Sequence, residues 1–367
     1  MKRLIAAVLC LFAVFSLSPR AHALGVSAES AVLTEAESGE IIYEKNAHKR
    51  RGMASTTKIM TAICALENID AGTVVTVPRE AAGIEGSSVY LREGEKITVE
   101  NLLYALMLQS ANDAAAAIAI AVSGSIEAFA ELMNAKAAEL GMRDTHFENP
   151  HGLDGEAHYT TAYELAKIAA YALQNETFAR IVSTVKHTIP ATESSPARTL
   201  VNHNRLLREH GDVIGVKTGF TKKCGRTLVS AAKRDGVTLI CVTLCDGDDW
   251  RDHRAMLDYG FELYESKTLL RERELTFSLP VVGGERAEVK CENREALSVT
   301  LRKNCGEIST KTELPRFIYA GAKKGDAIGC VRFFADGREI GSCKLYLAED
   351  APKKQGKKGF FRNLQSG

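Results

Sequence analysis

Three short motifs in a fixed order constrain this chain of 367 residues more than any other feature of its sequence. They are Ser-Thr-Thr-Lys at 55–58, Ser-Ala-Asn at 110–112 and Lys-Thr-Gly at 217–219. Each motif alone is weak, because a serine three residues before a lysine occurs by chance in most long chains. Together they indicate a fold that gathers hydroxyl, amide and ammonium groups from distant segments for nucleophilic chemistry.

The first motif opens a segment that we expect to form a buried helix. Residues 55–66 are largely apolar after Lys58, and residues three apart on a helix share one face, so Ser55 and Lys58 can touch. A serine hydroxyl needs a base, and Lys58 is the nearest one. Burial and a second ammonium, Lys217, would lower the pKa of Lys58 from its usual value of about 10.4. The alternative is a capping serine beside a solvated lysine.

The second motif lies between two helical patterns, at 99–108 and 113–122. A loop that joins two buried helices can project Ser110 and Asn112 into a cleft. There Ser110 would relay a proton to a leaving amine, while Asn112 would orient Lys58 and bind a substrate carbonyl. In the alternative interpretation both residues are ordinary helix N-caps.

The third motif ends a β-branched run at 213–216, which predicts a strand. Side chains alternate along a strand, so Lys217 and Gly219 share one side, where a glycine lets a substrate backbone lie against the strand edge. Extended peptides are commonly held by such added strand pairing. Lys217, Thr218 and Thr221 would then offer a cation and hydroxyls to a terminal carboxylate. The alternative is an edge strand protected by its lysine.

The three motifs resemble the active-site motifs of penicillin-recognising serine enzymes. Further segments at 86–88, 149–154 and 215–221 are similar to those of the D-alanyl-D-alanine carboxypeptidases, the low-molecular-mass penicillin-binding proteins of peptidase family S11. The resemblance covers residues 26–265 and, more loosely, the rest of the chain. It implies that Ser55 is an acyl-ester nucleophile and Lys58 its general base.

The same resemblance implies an oxyanion hole and a place in the site for one histidine. The hole would be formed by the backbone amides of Ser55 and Phe220, for which any side chain is tolerated. His203 falls where family members can carry a basic residue, and it would bind a carboxylate only when protonated. A surface histidine is the alternative, and His151 lies in a predicted turn that would shape the cleft wall.

The order of the predicted elements indicates an α+β fold with a mostly antiparallel sheet beside a helical cluster. This agrees with the β-lactamase/transpeptidase-like fold that the resemblance implies, with Ser55 where sheet and helices meet. Helices are predicted at 55–66, 99–108, 113–122, 126–140, 161–174 and 249–265. Strands are predicted at 31–36, 41–44, 186–190, 213–218, 227–232 and 237–244.

After about Lys267 the pattern changes to short alternating segments, which predict a small all-β domain at 268–350. The first domain would then cover 24–267. Within the second, Asp336-Gly337 separates two apolar runs and predicts a tight hairpin.

Both ends of the chain suggest targeting. Residues 1–23 combine a positive start, an apolar run and a small-x-small site, which predicts a signal peptide cleaved after Ala23 and an exported, extracytoplasmic protein. The tail at 351–367 holds five lysines or arginines beside two phenylalanines and no acids. It suits peripheral contact with an anionic membrane surface, and a disordered tail is the alternative.

Composition excludes several other functions. A formal net charge of +1 argues against nucleic acid as the main partner. The sequence has neither His-Glu-x-x-His nor Cys-x-x-Cys, so we predict no metal and no cofactor. Eight cysteines remain after the predicted cleavage. Disulfides are possible among the last four, and their pairing is open between three arrangements.

The sequence therefore predicts a serine carboxypeptidase that acts on the D-Ala-D-Ala end of peptidoglycan pentapeptides and is acylated by β-lactams. A class A β-lactamase shares the motifs, but it usually has aspartate at the position of Ala111 and a glutamate-bearing loop, and we find no convincing Glu-x-x-x-Asn. A transpeptidase or endopeptidase would use the same acyl-enzyme. A wall-binding scaffold is the non-enzymatic alternative, and the intact motifs argue against it.

Overall fold

A computed structural model describes residues 24–192 and 194–354. The predicted signal peptide and all but the first four residues of the basic tail lie outside the described residues. The described chain divides into two compact units. The first holds 24–34, 41–230 and 240–258, and the second holds 35–40, 231–239 and 259–354.

A five-stranded sheet runs through the part of the chain that carries the three motifs. Its strands are β1 (Ser30–Glu35), β2 (Ile41–Lys45), β7 (Val213–Thr221), β8 (Gly225–Arg234) and β9 (Val237–Asp246). The strand order is β2-β1-β9-β8-β7, so β7 forms one edge of the sheet. Two small hairpins complete the strands of this region, namely β3 (Val74–Thr76) with β4 (Lys96–Thr98), and β5 (Lys186–Ile189) with β6 (Arg198–Val201).

The helices between these strands form a cluster around the first motif. They are α1 (Lys58–Asn68), α2 (Val99–Leu108), α3 (Asn112–Ser123), α4 (Ile126–Glu139), α5 (Ala162–Leu173), α6 (Glu176–Ser183), α7 (Leu206–Glu209) and α8 (Asp249–Leu263). Hydroxyls of Thr98, Ser125 and Thr161 accept backbone N–H bonds at the starts of α2, α4 and α5. Helix α1 is buried along most of its length, and its neighbours α2 and α3 contribute apolar side chains to the core around it.

The C-terminal strands form two sheets. Their elements are β10 (Tyr264–Leu270), β11 (Thr276–Val282), β12 (Glu288–Asn293), β13 (Leu297–Arg302), β14 (Ile308–Glu313), β15 (Ile318–Tyr319), β16 (Ala327–Ala335) and β17 (Arg338–Leu347). Six of them pair in the order β14-β16-β17-β12-β11-β15, and β10 pairs with β13. Asp336 and Gly337 both have positive φ angles in the turn between β16 and β17, which suits the twist of a tight hairpin.

The predicted α+β fold with a following all-β region is confirmed. The predicted helix 55–66 begins later, at Lys58, and Ser55 lies in a preceding 3₁₀ turn, Ala54–Thr57. The hydroxyls of Thr56 and Thr57 donate to carbonyls three residues back, which favours the tighter turn. The helix predicted to end at Glu265 ends at Leu263, where β10 follows at once.

The eight cysteines from Cys64 to Cys343 are unbridged. On β16 and β17, Cys343 lies opposite Val331 rather than Cys330. Successive residues of a strand point to opposite faces, so the two thiols are directed apart. The disulfides that the sequence left possible are therefore not formed in this structure.

No single helix among the described residues is long and apolar enough to cross a membrane. Helices α3 and α4, which meet at an angle of 82°, pass the length and composition test only as a bent pair.

A buried histidine between sheet and helix is expected to make the fold sensitive to acid. His253 is fully buried between the hydroxyls of Ser230 and Thr243, and burial lowers its pKa to about 3. In the unfolded chain its pKa is about 6.5. The resulting stability is present above about pH 6.5 and is lost as the pH falls toward 3, by about 1.4 kcal/mol per pH unit.

We predict that His253→Gln reduces the loss in the free energy of unfolding between about pH 7 and about pH 4.5. Urea unfolding at the two pH values measures this difference, so a uniform cost of the substitution cancels. The matched control is His48→Gln, since His48 is solvent-exposed and should leave the difference unchanged. An unaltered pH dependence in His253→Gln would show that this histidine does not cause the acid sensitivity.

Candidate active site

The amine of Lys58 is the centre of the site. Its Nζ lies 3.0 Å from Ser55 Oγ and 2.8 Å from Asn112 Oδ1, and it also donates to the main-chain carbonyl of His151. The side chain is completely buried. The first and second motifs therefore meet at one nitrogen atom, and a third segment that carries His151 joins them.

The surroundings of Lys58 favour its neutral form. Burial has the largest effect and lowers its pKa well below the usual value, the nearby ammonium of Lys217 lowers it further, and Asp113 acts in the opposite direction. Lys217 is itself buried, and burial lowers its pKa to about 7. A neutral amine 3.0 Å from Ser55 Oγ is placed to accept the hydroxyl proton.

The second motif is held by a sharp turn between α2 and α3. Ser110 has a positive φ of 59° and is almost buried, while Asn112 is the first residue of α3. The Asn112 side chain donates to the carbonyl of Glu85 at 2.6 Å, and its backbone N–H donates to that of Ser87 at 2.7 Å. Because Nδ2 of Asn112 is bound to Glu85, Oδ1 is directed at Lys58.

The segment around His151 supplies a contact that the sequence did not reveal. Thr61 on α1 donates to the carbonyl of Pro150 at 2.6 Å, and Asn149 Oδ1 accepts from the backbone of Gly152 at 2.7 Å. This turn directs the His151 carbonyl at Lys58. The imidazole of His151 is neutral near pH 7, since burial and then the charge of Lys58 lower its pKa to about 3.

The third motif lies on the edge strand β7, beside the turn that holds Ser55. A Cβ atom added at Gly219 would lie 2.9 Å from the backbone nitrogen of Ser55 and would also press against Thr227 Oγ1. Glycine is thus required for this close approach. Lys217 is buried on the inner side, where its amine donates to the carbonyl of Thr218 at 2.7 Å.

These groups border a cleft of about 430 Å³. Six of the ten predicted site residues line it, together with Ser87 from the segment at 86–88 and three residues that the sequence did not single out. The lining residues are Ser55, Ser87, Ser110, His203, Thr218, Gly219, Phe220, Arg226, Asp249 and Trp250. The sequence contains a signal for Arg226, which lies at the start of β8, a few residues after the third motif. A hairpin between β7 and β8 brings it back beside the end of β7.

The surroundings of two further predicted site residues, Thr221 and His203, bear on the roles predicted for them. Thr221 is not among the described residues that line the cleft, and its hydroxyl donates to Asp154 at 2.9 Å and accepts from the backbone of Cys224. His203 lines the cleft, but it follows β6 in a connection rather than standing on a strand. Partial burial and the charge of Lys217 lower the pKa of His203, which disfavours its protonated form.

Two models of known protein families match the chain. One, described as D-alanyl-D-alanine carboxypeptidase, matches residues 18–247, and the other, described as the C-terminal domain of penicillin-binding protein 5, matches residues 264–353. The chain belongs to the D-alanyl-D-alanine carboxypeptidase family. The family resemblance inferred from the motifs is therefore confirmed. The cleavage after Ala23 and the division at Lys267 stay predictions.

Individual relatives extend the match to nearly the whole chain. The D-alanyl-D-alanine carboxypeptidase DacF of Bacillus subtilis is 31% identical over 96% of this chain and 95% of its own. A structure of penicillin binding protein 5 from Haemophilus influenzae has a TM-score of 0.69 and 28% identity, and covers 89% of this chain and 98% of that one. A structure of the Streptomyces K15 DD-transpeptidase has a TM-score of 0.62 and 34% identity, and covers 65% and 99%.

Within residues 24–192 and 194–354, no group of three or more His, Cys, Asp or Glu side chains is arranged to hold a metal ion.

The close approach at Gly219 leads to a stability prediction. Gly219→Ala would push the added methyl group against the backbone of the Ser55 turn, and we expect it to lower the free energy of unfolding by about 1–3 kcal/mol. Gly211→Ala is the matched control, because nothing lies within 4 Å of its Cβ position. Urea unfolding measures both, and equal effects of the two substitutions would contradict the proposed contact.

Proposed function

We propose that this protein is an exported serine D-Ala-D-Ala carboxypeptidase that removes the terminal D-Ala from peptidoglycan stem pentapeptides through an acyl-enzyme on Ser55. The main support is the buried Lys58 amine, which lies 3.0 Å from Ser55 Oγ and has a pKa well below its usual value. The site residues and their roles are part of this proposal.

In the first step, Ser55 Oγ attacks the carbonyl carbon of the penultimate D-Ala while Lys58 accepts the hydroxyl proton. The carbonyl oxygen becomes an oxyanion, and the backbone N–H groups of Ser55 and Phe220 would stabilise it. The proximity of Gly219 to the Ser55 nitrogen supports this pairing, because it brings the two amide-bearing segments together.

Collapse of the tetrahedral intermediate breaks the C–N bond. The leaving amine of the terminal D-Ala takes up a proton, which Ser110 would relay from Lys58, since both Ser110 and Ser55 line the cleft. Asn112 keeps Lys58 in place through its Oδ1 atom. Water then attacks the ester, which releases the tetrapeptide and restores Ser55. A β-lactam would acylate Ser55 by the same first step.

The decisive experiment identifies the products from a pentapeptide that ends in D-Ala-D-Ala. We expect one D-Ala and a tetrapeptide by mass spectrometry, and no turnover by Ser55→Ala, which should retain its stability because it deletes one hydroxyl at the cleft. Dimers formed with an added amine acceptor as the main product would instead indicate a transpeptidase, the activity named for the similar Streptomyces K15 structure. Rapid multiple-turnover hydrolysis of penicillin would indicate a β-lactamase. If the wild-type protein leaves the pentapeptide intact, the proposal is wrong.

The role of Lys58 can be tested separately. Arginine keeps the charge but cannot release its proton in a protein, so Lys58→Arg should slow acylation by a fluorescent penicillin by about 100-fold or more. Lys58→Met fits the same buried space without a proton acceptor and should slow acylation to a similar extent. Near-UV circular dichroism checks that both variants are folded. Lys186→Arg on the exposed side of β5 is the control. Acylation of either Lys58 variant at the wild-type rate would exclude Lys58 as the base.

Export and peripheral membrane contact complete the proposal. The pattern of residues 1–23 supports a signal peptide, and the cationic, aromatic tail supports binding to an anionic surface. N-terminal sequencing of the protein recovered outside the cytoplasm would test cleavage after Ala23.

A further inference from the structure

One wall of the cleft includes a stretch of chain that belongs to no helix or strand. This stretch, residues 85–91, is called the strap below. Its Ser87 lines the cleft, and the carbonyls of Glu85 and Ser87 accept the side-chain and backbone N–H groups of Asn112 at 2.6 Å and 2.7 Å. The strap therefore determines how the Asn112 amide is turned, and with it the contact between Asn112 Oδ1 and the amine of Lys58.

The carboxylate of Asp113 fastens the strap to the start of α3. Its side chain is completely buried. Oδ2 accepts from the hydroxyl of Ser88 at 2.6 Å and from the backbone of Leu91 at 2.9 Å, and Oδ1 accepts from the backbone of Val89 at 3.3 Å. Val89 and Leu91 are buried, so their N–H groups need a partner, and the strap has no sheet to provide one. The carboxylate takes the place of a strand ladder.

An acid in the first turn of a helix is common, because negative charge is favourable there. The hydrogen bonds of Asp113 show a different emphasis. Its own helix supplies one donor, the backbone N–H of Ala114 at 2.9 Å, whereas three donors come from the strap. The side chain therefore serves the strap more than it caps the helix.

The same carboxylate acts on Lys58 through its charge. Burial and then the ammonium of Lys217 lower the pKa of Lys58, and the charge of Asp113 raises it in part. The imidazoles of His151 and His158 also face this amine, and burial keeps them neutral near pH 7 by lowering their pKa values to about 3 and about 4. Without the charge of Asp113, the neutral amine of Lys58 should persist to lower pH.

We propose that Asp113 is a positioning residue for the acyl transfer, because it holds the strap that aims Asn112 at Lys58. This inference rests on the proposed function and adds to it a buried residue that does not line the cleft. Asp113 would act on the rate through the placement of other groups, without contact with the substrate.

The test follows the rate of acylation by a fluorescent penicillin as a function of pH. Asp113→Asn keeps the size of the side chain but sets an amide NH₂ group against donors of the strap. We expect acylation at neutral pH to slow by about 10- to 100-fold, the factor that corresponds to a buried donor left without its acceptor. The acid limb of the profile, where Lys58 becomes protonated, should move to lower pH, since the charge that raised the pKa of Lys58 is gone.

Ser88→Ala separates the strap from the charge. It removes one bond to Asp113 and keeps the carboxylate, so acylation should slow while the acid limb stays in place. In the Asp113→Asn background it should add little further loss, because both substitutions break the same contact. Near-UV circular dichroism checks that the variants are folded.

Glu164→Gln is the matched control. Glu164 is also a buried acid in the first turn of a helix, α5, and it holds a loop through the backbone of Asp144 and the hydroxyl of Thr145. Because this loop does not line the cleft, the substitution should leave both the acylation rate and the acid limb unchanged.

Wild-type acylation by Asp113→Asn, an acid limb that does not move in this variant, or an equal loss in Glu164→Gln would overturn the inference. If Asp113→Asn does not fold, Ser88→Ala decides, and acylation at the wild-type rate by that variant would likewise overturn it. If penicillin does not acylate the wild-type protein, the proposed function itself fails, whereas the other failures leave that function standing.

Discussion

The burial of one lysine amine among three acceptors is the interaction on which the rest of the site depends. The amine of Lys58 contacts three groups. Ser55 belongs to the same turn of the chain, Asn112 begins α3, and the carbonyl of His151 belongs to a third segment. The contact with Ser55 is local, whereas those with Asn112 and His151 form only because tertiary packing brings their segments to α1. The apolar, alanine-rich faces of these helices are thus as necessary to the chemistry as the polar residues themselves.

This arrangement destabilises the protein locally. Two lysines, Lys58 and Lys217, are buried near each other, and burial disfavours the charged form of both. Buried ionisable groups with perturbed pKa values concentrate at functional sites, where stability is exchanged for reactivity. The surrounding structure offsets this cost through well-packed helices and through hydrogen bonds that satisfy Asn112 and the loop around His151.

The sequence predicted the parts of the site that depend on local spacing. Ser55 and Lys58 are close because they are three residues apart, and Lys217 and Gly219 share a side because strands alternate. The His151 carbonyl was not predictable, because any residue type can present a backbone oxygen. The sequence predicted that Thr221 binds substrate because it closely follows the third motif. In the structure β7 ends at this residue, and its hydroxyl donates to Asp154. Arg226 was missed although the short connection between β7 and β8 indicates its position, whereas its ion pair with Asp249 depends on tertiary structure.

The set of acceptors around Lys58 also bears on the direction of the proposed proton transfer. A charged amine has three hydrogens, one for each of Ser55, Asn112 and His151. When the amine is neutral, two hydrogens and one lone pair remain. The two carbonyl oxygens have no proton to give, so the lone pair can be used only toward the hydroxyl of Ser55. Losing a proton thus reverses the polarity of a single contact and leaves the other two intact, which would orient Lys58 for the proposed role of base before any substrate arrives.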